Sequence, residues 1–160
     1  MNDAQMPAGK HARFEADGAA IGQAAAALDG FCSSEHVPRD AIWPLQVALD
    51  EIVANIVSHA AVGRAVPAFD VWFRRAGESI EIVVADDGPP FDPLERPAPD
   101  VTLPLDARQP GGLGIMLVKS LMDDVRYERT TRNVLTIRKR INTGGEPGGA
   151  GPDEHSAERT

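Results

Sequence analysis

The stretch LQVALDEIVANIVSHA, residues 45–60, is apolar nearly all round a helix, yet it carries polar side chains at one regular spacing. The apolar positions leave little solvent-facing surface, which predicts a helix inside a larger fold. Glu51, Asn55 and His59 stand four residues apart, so they fall on one stripe of that helix. Because a buried carboxylate and a buried amide are costly unless a partner satisfies them, the stripe indicates a polar ligand.

A magnesium ion beside phosphate oxygens is one ligand that suits this stripe. Mg²⁺ takes hard oxygen donors, and an amide carbonyl such as that of Asn55 qualifies. A nearby carboxylate such as Glu51 can then orient or deprotonate an attacking hydroxyl group. The alternative is an exposed polar helix face, although Asp50 and Ser58 are the more natural solvent positions. His59 by itself is more typical of a packed or solvent-edge histidine than of a ligand.

A second motif, DDGPPF at residues 86–91, follows the strongly apolar stretch IEIVVA. Asp86 stands where that predicted strand ends, and strand ends beside loops are common ligand sites. Its carboxylate can accept a hydrogen bond from the exocyclic amine of adenine, and Gly88 lets the backbone approach a base closely. The alternative is an ordinary turn, for which Asp-Asp-Gly-Pro is suitable chemistry.

A third motif, GGLGI at residues 111–115, opens a predicted helix whose apolar face is Ile115, Leu117, Val118, Leu121 and Met122. Backbone N–H groups at a helix N-terminus favour phosphate, and glycine permits close approach. Lys119, one turn into the helix, can lean towards phosphate or simply face solvent. The motif lies late in the chain and follows a long loop, which excludes a Rossmann fingerprint, and the chain has no P-loop motif.

Helix and strand signals alternate around these motifs. Helices are predicted at about 18–34, 40–60 and from the Gly-rich loop to Met122, and strands at about 11–16, 68–75, 79–85, 125–129 and 134–140. Asp17 is expected to cap the first helix, and Pro44 to lie near the first turn of the second. The Pro-rich loop from 89 to 110 is long enough to be functional. The sum predicts an α/β two-layer sandwich, with a mostly antiparallel sheet covered on one face by helices.

Composition limits the class of protein. The 160 residues carry a formal net charge of −8, which argues against direct nucleic-acid binding. A single cysteine, Cys32, excludes an intrachain disulfide and suits a cytoplasmic protein. We expect neither a signal peptide nor a membrane span. We therefore expect one domain at residues 11–141, between a flexible N-terminus at 1–10 and a disordered, acidic, Gly/Pro-rich tail at 142–160.

Taken in order, the three motifs resemble the N, G1 and G2 boxes of the GHKL (Bergerat-fold, histidine-kinase-like) ATPase superfamily, and the long loop resembles its ATP lid. Within that superfamily, the phrases ALDEIVANIVSHA, VADDGPPFDP and GGLGIMLVKSLMDDVRYER resemble the anti-sigma-factor serine-protein kinases of bacterial partner switching.

This resemblance implies a function and a set of site residues. Members bind ATP and Mg²⁺, hold a sigma factor and phosphorylate a serine of an anti-anti-sigma (STAS-type) protein; a homodimer is also implied. Glu51 would be the catalytic base, and Asn55 would bind the metal. The remaining nucleotide contacts would be Asp86, Gly88, Gly112, Leu113, Gly114 and Lys119.

The sequence departs from the superfamily pattern in three places. Pro90 stands where many superfamily members have a second glycine in the D-x-G-x-G box. Asn133 stands near the position where many members have a Gly-Thr pair that supports the adenine pocket. The lid is Pro-rich, and its basic residues are Arg96 and Arg108. These departures leave open a non-catalytic ATP-binding regulatory module of the same fold. A histidine-kinase catalytic domain is disfavoured, because too few residues precede the long helix to form a dimerising hairpin.

Overall fold

The computed structural model describes residues 8–61, 68–95, 97, 100–104, 106 and 112–142. These residues contain three α-helices and five strands. The helices are α1 (Ala20–Ser34), α2 (Arg39–Ala61) and α3 (Gly112–Leu121). The strands are β1 (Lys10–Glu15), β2 (Ala68–Ala76), β3 (Ser79–Asp86), β4 (Asp124–Arg129) and β5 (Asn133–Arg140). A short 3-10 turn spans Pro93–Glu95.

The five strands form one sheet in the order β1-β2-β3-β5-β4, and every neighbouring pair is antiparallel. The β2–β3 hairpin turns at Gly77, whose φ of 61° is one that glycine adopts without strain. One face of the sheet packs against the helices and forms the core. The predicted two-layer sandwich is confirmed.

Helix α2 lies at the centre of the helical layer and contacts both α1 and α3. Its residues Leu45, Leu49 and Val53 are fully buried in the core, as the all-round apolar pattern predicts. Among the described residues, α2 is also the one helix whose length and apolar composition would allow it to cross a membrane. Core helices commonly have that composition, and α2 is packed as one.

Three local predictions are wrong. Helix α1 begins at Ala20 without a side-chain cap, because the carboxylate of Asp17 instead accepts the N–H of Ala19 in the preceding turn. Pro44 lies inside α2 as its sixth residue, beyond the first turn. Leu117 on α3 is 38% exposed rather than part of the apolar face, whereas Ile115, Val118 and Met122 are buried.

Several sequence predictions lie outside the described residues. They concern the N-terminal residues 1–7, the tail beyond Asn142, and Arg96 and Arg108 of the predicted lid. At the C-terminal boundary, the side chain of Ile141 is buried and its N–H donates to the carbonyl of Glu78 at 2.8 Å. The folded unit therefore includes Ile141.

Candidate functional site

A cleft lies between α2 and the ends of the central strands. Its apolar walls come from both layers: Ile52 and Ile56 of α2, Val84 of β3, and Leu135 of β5. Polar side chains enter it from four elements: Asn55, His59, Asp86, Tyr127 and Asn133. An apolar cleft with a few convergent polar groups is the usual form of a small-molecule site.

Asp86, the last residue of β3, offers this cleft one carboxylate oxygen. Its Oδ1 accepts two hydrogen bonds, from the N–H of Gly88 at 2.8 Å and from Nδ2 of Asn133 at 3.0 Å. Its Oδ2 accepts none from the residues that the structure describes. Two fixed donors therefore orient the carboxylate, and Oδ2 remains available to a donor on a ligand.

The buried side chain of Asn133 forms hydrogen bonds to three parts of the cleft wall: the end of β3, the loop that follows it, and β4. Besides Asp86, its Nδ2 donates to the carbonyls of Gly88 at 3.3 Å and Pro89 at 3.0 Å. Its Oδ1 accepts from the N–H of Phe91 at 3.4 Å, the hydroxyl of Tyr127 at 2.8 Å and the guanidinium of Arg129 at 3.0 Å. The amide thus supports the loop after Asp86, at the position where the sequence departs from the superfamily pattern.

The polar stripe of α2 faces the site. Asn55 lines the cleft, and the ring of His59 meets Phe91 edge-on with centroids 4.5 Å apart. Glu51, one turn earlier, lies against Gly114: a Cβ added to that glycine would overlap Oε2 of Glu51 and stand 3.2 Å from its Cδ. The fold therefore brings Glu51 to the Gly-rich start of α3 and Asn55 to the cleft that holds Asp86.

The side chains of Glu51 and Asn55 make no hydrogen bonds to other described residues. Asp50 differs, because its Oδ1 is buried with no hydrogen-bond partner among the described residues. Burial, followed by the charge of Asp29, raises the pKa of its carboxyl group. The expectation that Asp50 and Ser58 both face solvent holds only for Ser58. The two adjacent carboxylates of α2 therefore have different surroundings, and Glu51 is the one beside the glycines.

The Gly-rich segment forms the first turn of α3, which begins at Gly112 and continues through Leu113 and Gly114. The backbone N–H groups of a first helical turn have no intrahelical acceptors, so this turn can bind an anion. Leu113 is 51% exposed. Lys119 lies on the exposed side of α3, where its Nζ donates to the carbonyl of Leu94 at 3.3 Å.

The oxygen atoms of the site suit a hard cation whose other ligands are mostly water molecules and phosphate oxygens. Within the described ranges, no three His, Cys, Asp or Glu side chains cluster as a metal site. Asn55 nevertheless offers an uncommitted amide oxygen to the cleft, and Mg²⁺ is commonly held by one or two protein oxygens plus substrate phosphates. These residues fit Mg²⁺ bound together with a nucleotide.

Sequence reasoning missed part of the site. It assigned no role to Tyr127, Leu135, Phe91, Ile52 or Ile56, all of which line the cleft. Strand alternation carries a signal for one of them, since Leu135 shares one face of β5 with Asn133. Their proximity to α2 is not visible in the sequence, because it arises from long-range packing.

The fold and this site define the class of protein. Residues 14–139 match the family model described as "Histidine kinase-like ATPase domain". The match covers most of the chain, which therefore belongs to this family. The superfamily that the three motifs indicate is confirmed.

Within this family, the chain is similar to curated proteins that are named as serine-protein kinases. Serine/threonine-protein kinase BtrW of Bordetella bronchiseptica is 30% identical over 112 residues, covering 66% of this chain and 79% of the relative. Serine-protein kinase RsbW of Bacillus licheniformis is 31% identical over 121 residues, covering 72% of this chain and 74% of the relative. The predicted resemblance to serine-protein kinases is confirmed at this level of identity.

A solved structure shows the same fold. The RsbU and RsbW domains of a Mycobacterium tuberculosis protein superpose with a TM-score of 0.57 at 17% sequence identity. The superposition covers 82% of this chain and 31% of that longer chain. At this identity the likeness concerns the fold alone.

Proposed function

We propose that this protein is an ATP-dependent serine-protein kinase that acts as an anti-sigma factor, phosphorylating a serine of an anti-anti-sigma protein. The observation that carries the proposal is the placement of Glu51 and Asn55. One uncommitted carboxylate lies at a Gly-rich helix start, and one uncommitted amide lies four residues away in a cleft that contains Asp86. The names of the relatives support protein serine as the acceptor.

Each part of the site has a role in this proposal. Adenine enters the cleft, where Oδ2 of Asp86 accepts its exocyclic amine and apolar side chains cover its ring. The phosphates lie towards the first turn of α3, whose N–H groups favour anions. Asn55 would supply an oxygen to Mg²⁺, which neutralises phosphate charge. Glu51 orients the acceptor hydroxyl and takes its proton as the oxygen bonds to the γ-phosphorus, while the bond to the β-phosphate oxygen breaks and ADP leaves.

The remaining parts of the proposal rest on the resemblance. They are a sigma factor and a STAS-type protein as partners, and a homodimer. The cytoplasmic location and the single domain at residues 11–141 rest instead on composition, and β1 begins one residue earlier, at Lys10. The acidic net charge of −8 supports protein partners over nucleic acid.

One experiment tests the central proposal. The purified protein is titrated with ATP and ADP, with and without Mg²⁺, in a calorimeter, and is then incubated with Mg-ATP and a candidate STAS-type partner. We expect magnesium-dependent binding in the micromolar range and transfer of phosphate to one serine of the partner. Absence of adenine-nucleotide binding would contradict the proposal. Binding without transfer to any candidate partner would favour the non-catalytic module.

Replacing Asp86 by asparagine is expected to weaken ATP binding about ten- to hundred-fold, since a charged hydrogen bond contributes roughly 1.5–3 kcal/mol. Gly88 and Asn133 both donate to Oδ1, so the amide oxygen would take that position. The amide nitrogen would then face the adenine amine, donor against donor. Calorimetric titration with Mg-ATP measures the loss.

The matched control is Asp124→Asn, which alters an exposed carboxylate at the start of β4. It removes the same charge from the same protein without touching the cleft, so its affinity for ATP should equal that of the wild type. Equal affinities of Asp86→Asn and wild type would place adenine recognition elsewhere.

Replacing Gly114 by alanine is expected to slow phosphoryl transfer about a hundred-fold while leaving thermal stability unchanged or slightly higher. The added methyl group would displace the carboxylate of Glu51. Displacement of a reacting group by about 1 Å can cost roughly 10²-fold in rate. The fold should tolerate the change, because the end of the Glu51 side chain can move and alanine favours helix over glycine. Initial rates and melting curves measure the two effects.

Gly22→Ala is the control for this substitution. Gly22 also lies in a helix, α1, but an added Cβ there meets nothing within 4 Å. This variant should gain stability with full activity. If Gly114→Ala keeps the wild-type rate, the contact between Gly114 and Glu51 has no part in catalysis.

A further inference from the structure

The helix-free face of the sheet carries two separate ion clusters. In the first, the nearly buried carboxylate of Asp70 on β2 accepts from three side chains: Nε2 of His11 at 2.8 Å, Nη1 of Arg13 at 2.6 Å and Nη2 of Arg132 at 2.7 Å. In the second, the nearly buried carboxylate of Glu81 on β3 accepts from Arg74 and from Nη2 of Arg138 at 2.8 Å. Both clusters consist of a buried carboxylate bound by arginine side chains, but they lie at different positions along the sheet.

The Asp70 cluster lies at the end of the sheet where the site is, and the Glu81 cluster lies towards the other end. Asp70 pairs in register with Ala85, the residue before Asp86. Glu81 pairs in register with Arg74 and Arg138, five residues before Asp86 on β3. Only the first cluster adjoins the strand end that the site uses.

Arg132 connects the Asp70 cluster to the backbone around Asp86. Its Nη2 also donates to the carbonyl of Ala85 at 3.1 Å, and its Nε lies 2.9 Å from Oδ1 of Asp87. One guanidinium group therefore contacts the residue before Asp86 and the residue after it. The Arg132 side chain is 19% exposed, against 53% for that of Asp87, so the guanidinium group is mostly buried while Asp87 lies at the surface.

Arg132 and Asn133 are consecutive, and they hold Asp86 from opposite faces of the sheet. Asn133 bonds the Asp86 carboxylate from the cleft side. Arg132 contacts the flanking residues from the helix-free side, where Asp70 fixes its guanidinium. Nη2 donates to both the Asp70 carboxylate and the Ala85 carbonyl, whereas Nε is near Asp87 as an ion pair without an aligned hydrogen bond. The planar guanidinium therefore links the Asp70 cluster to the backbone beside Asp86.

The geometry points to Arg132, anchored by Asp70, as a positioning residue that fixes Asp86 for adenine recognition from the face of the sheet opposite the nucleotide. This inference rests on the proposed function, because it requires that Asp86 binds adenine. Neither Arg132 nor Asp70 touches the cleft, so both act through the strand end.

The pKa of Asp70 agrees with a tightly held cluster. Burial raises the pKa of its carboxyl group, but hydrogen bonds from Arg132 and His11, with the charges of Arg132 and Arg13, outweigh burial and lower it. Asp70 therefore stays ionised and keeps its hold on Arg132. The pKa of Glu81 is likewise raised by burial and lowered, on balance, by Arg138 and Arg74. The two clusters therefore differ in their position relative to the site rather than in charge or burial.

That likeness supplies a matched pair of variants, Arg132→Met and Arg138→Met. Each removes one arginine from a buried carboxylate on the same sheet face, and each carboxylate keeps another arginine: Arg13 on Asp70 and Arg74 on Glu81. A purely structural role predicts equal effects on melting temperature and no specific effect on nucleotide binding. A positioning role predicts that the two variants differ in nucleotide binding.

The experiment measures melting temperature without nucleotide, and calorimetric affinity for Mg-ATP and Mg-GTP. GTP is the informative competitor, because guanine presents a carbonyl oxygen where adenine presents an amine, and a fixed carboxylate repels it. We expect Arg132→Met to lose about tenfold in ATP affinity and part of its preference over GTP. Arg138→Met should bind both nucleotides like the wild type. Arg132→Lys should not restore the preference, since an ammonium group cannot reproduce the bridging geometry.

The inference would be overturned by unchanged ATP affinity and preference in Arg132→Met, or by equal losses in both methionine variants. If Arg132→Met does not fold, Asp70→Asn replaces it as an isosteric variant with the same expected loss of preference, and wild-type preference in that variant would overturn the inference. A wild-type protein that binds no adenine nucleotide would overturn the proposed function and this inference together. Wild-type binding with an unaffected Arg132→Met overturns the inference alone.

Discussion

Replacing Glu51 by alanine is expected to stop serine phosphorylation while ATP affinity stays within a few-fold of wild type. The protein's task in phosphoryl transfer is mainly to position groups and stabilise charge, and a carboxylate that orients the hydroxyl contributes roughly 10²–10⁴ in rate. Glu51 lies at the Gly-rich start of α3 and outside the lining of the adenine cleft, so its loss should spare nucleotide binding. Binding of a sigma factor should also survive, because we expect that contact to use the outer surface.

The measurements are the initial rate of transfer to a STAS-type partner and calorimetric affinity for Mg-ATP. Asp50→Asn is the control, since it alters the neighbouring carboxylate of α2, which packs near Asp29 instead of the glycines. It should transfer phosphate at the wild-type rate. Full activity in Glu51→Ala would end the base assignment and leave the fold untouched. Loss of ATP affinity equal to the loss of rate would make Glu51 a binding residue.

Replacing Asn55 by alanine is expected to abolish the magnesium-dependent part of ATP binding. The amide lines the cleft and forms no hydrogen bond within the described part of the chain, so the folded protein alone does not account for it. A ligand present at 100 times its dissociation constant stabilises a protein by about 2.7 kcal/mol. Wild-type protein should therefore melt at a clearly higher temperature with Mg-ATP, whereas Asn55→Ala should gain almost nothing.

Melting temperature without nucleotide supplies the control. If Asn55 is a ligand-binding amide, its removal should leave this melting temperature near the wild-type value. If it is a structural core amide, its removal should lower the melting temperature and leave the shift by Mg-ATP intact. Asn55→Asp is a useful second variant, since it keeps an oxygen donor at the same place and should keep part of the magnesium dependence. A full Mg-ATP shift in Asn55→Ala would contradict the metal assignment.

The elements of the fold could largely be predicted from local patterns. The apolar runs of β3 and α2 reflect burial on nearly every side, and such runs are legible without knowledge of neighbours. The sequence-based predictions were wrong at residues whose local chemistry is compatible with two structures. Asp17 can cap a helix or close a turn, and it closes a turn two residues before α1 begins. Proline is tolerated in the first turn of a helix, and Pro44, the sixth residue of α2, lies just beyond that turn.

The three motifs and their order are legible in the sequence, because each motif depends on residues close together in the chain. Glu51 and Asn55 share a stripe through the period of one helix. Asp86 ends a strand, and the glycines open α3. These features require only helical or strand geometry, which the chain carries locally.

The contacts between the motifs follow from long-range packing, which the sequence patterns do not specify. Glu51 and Gly114 are 63 positions apart and touch because α2 packs against α3. Asn133 reaches Asp86, and Arg132 reaches Asp70 and Ala85, because β5 pairs beside β3 and the β4–β5 turn lies at the end of the sheet that holds the site. Strand order and register fix these contacts. Both depend on burying the helix-facing side of the whole sheet at once, which no local pattern specifies.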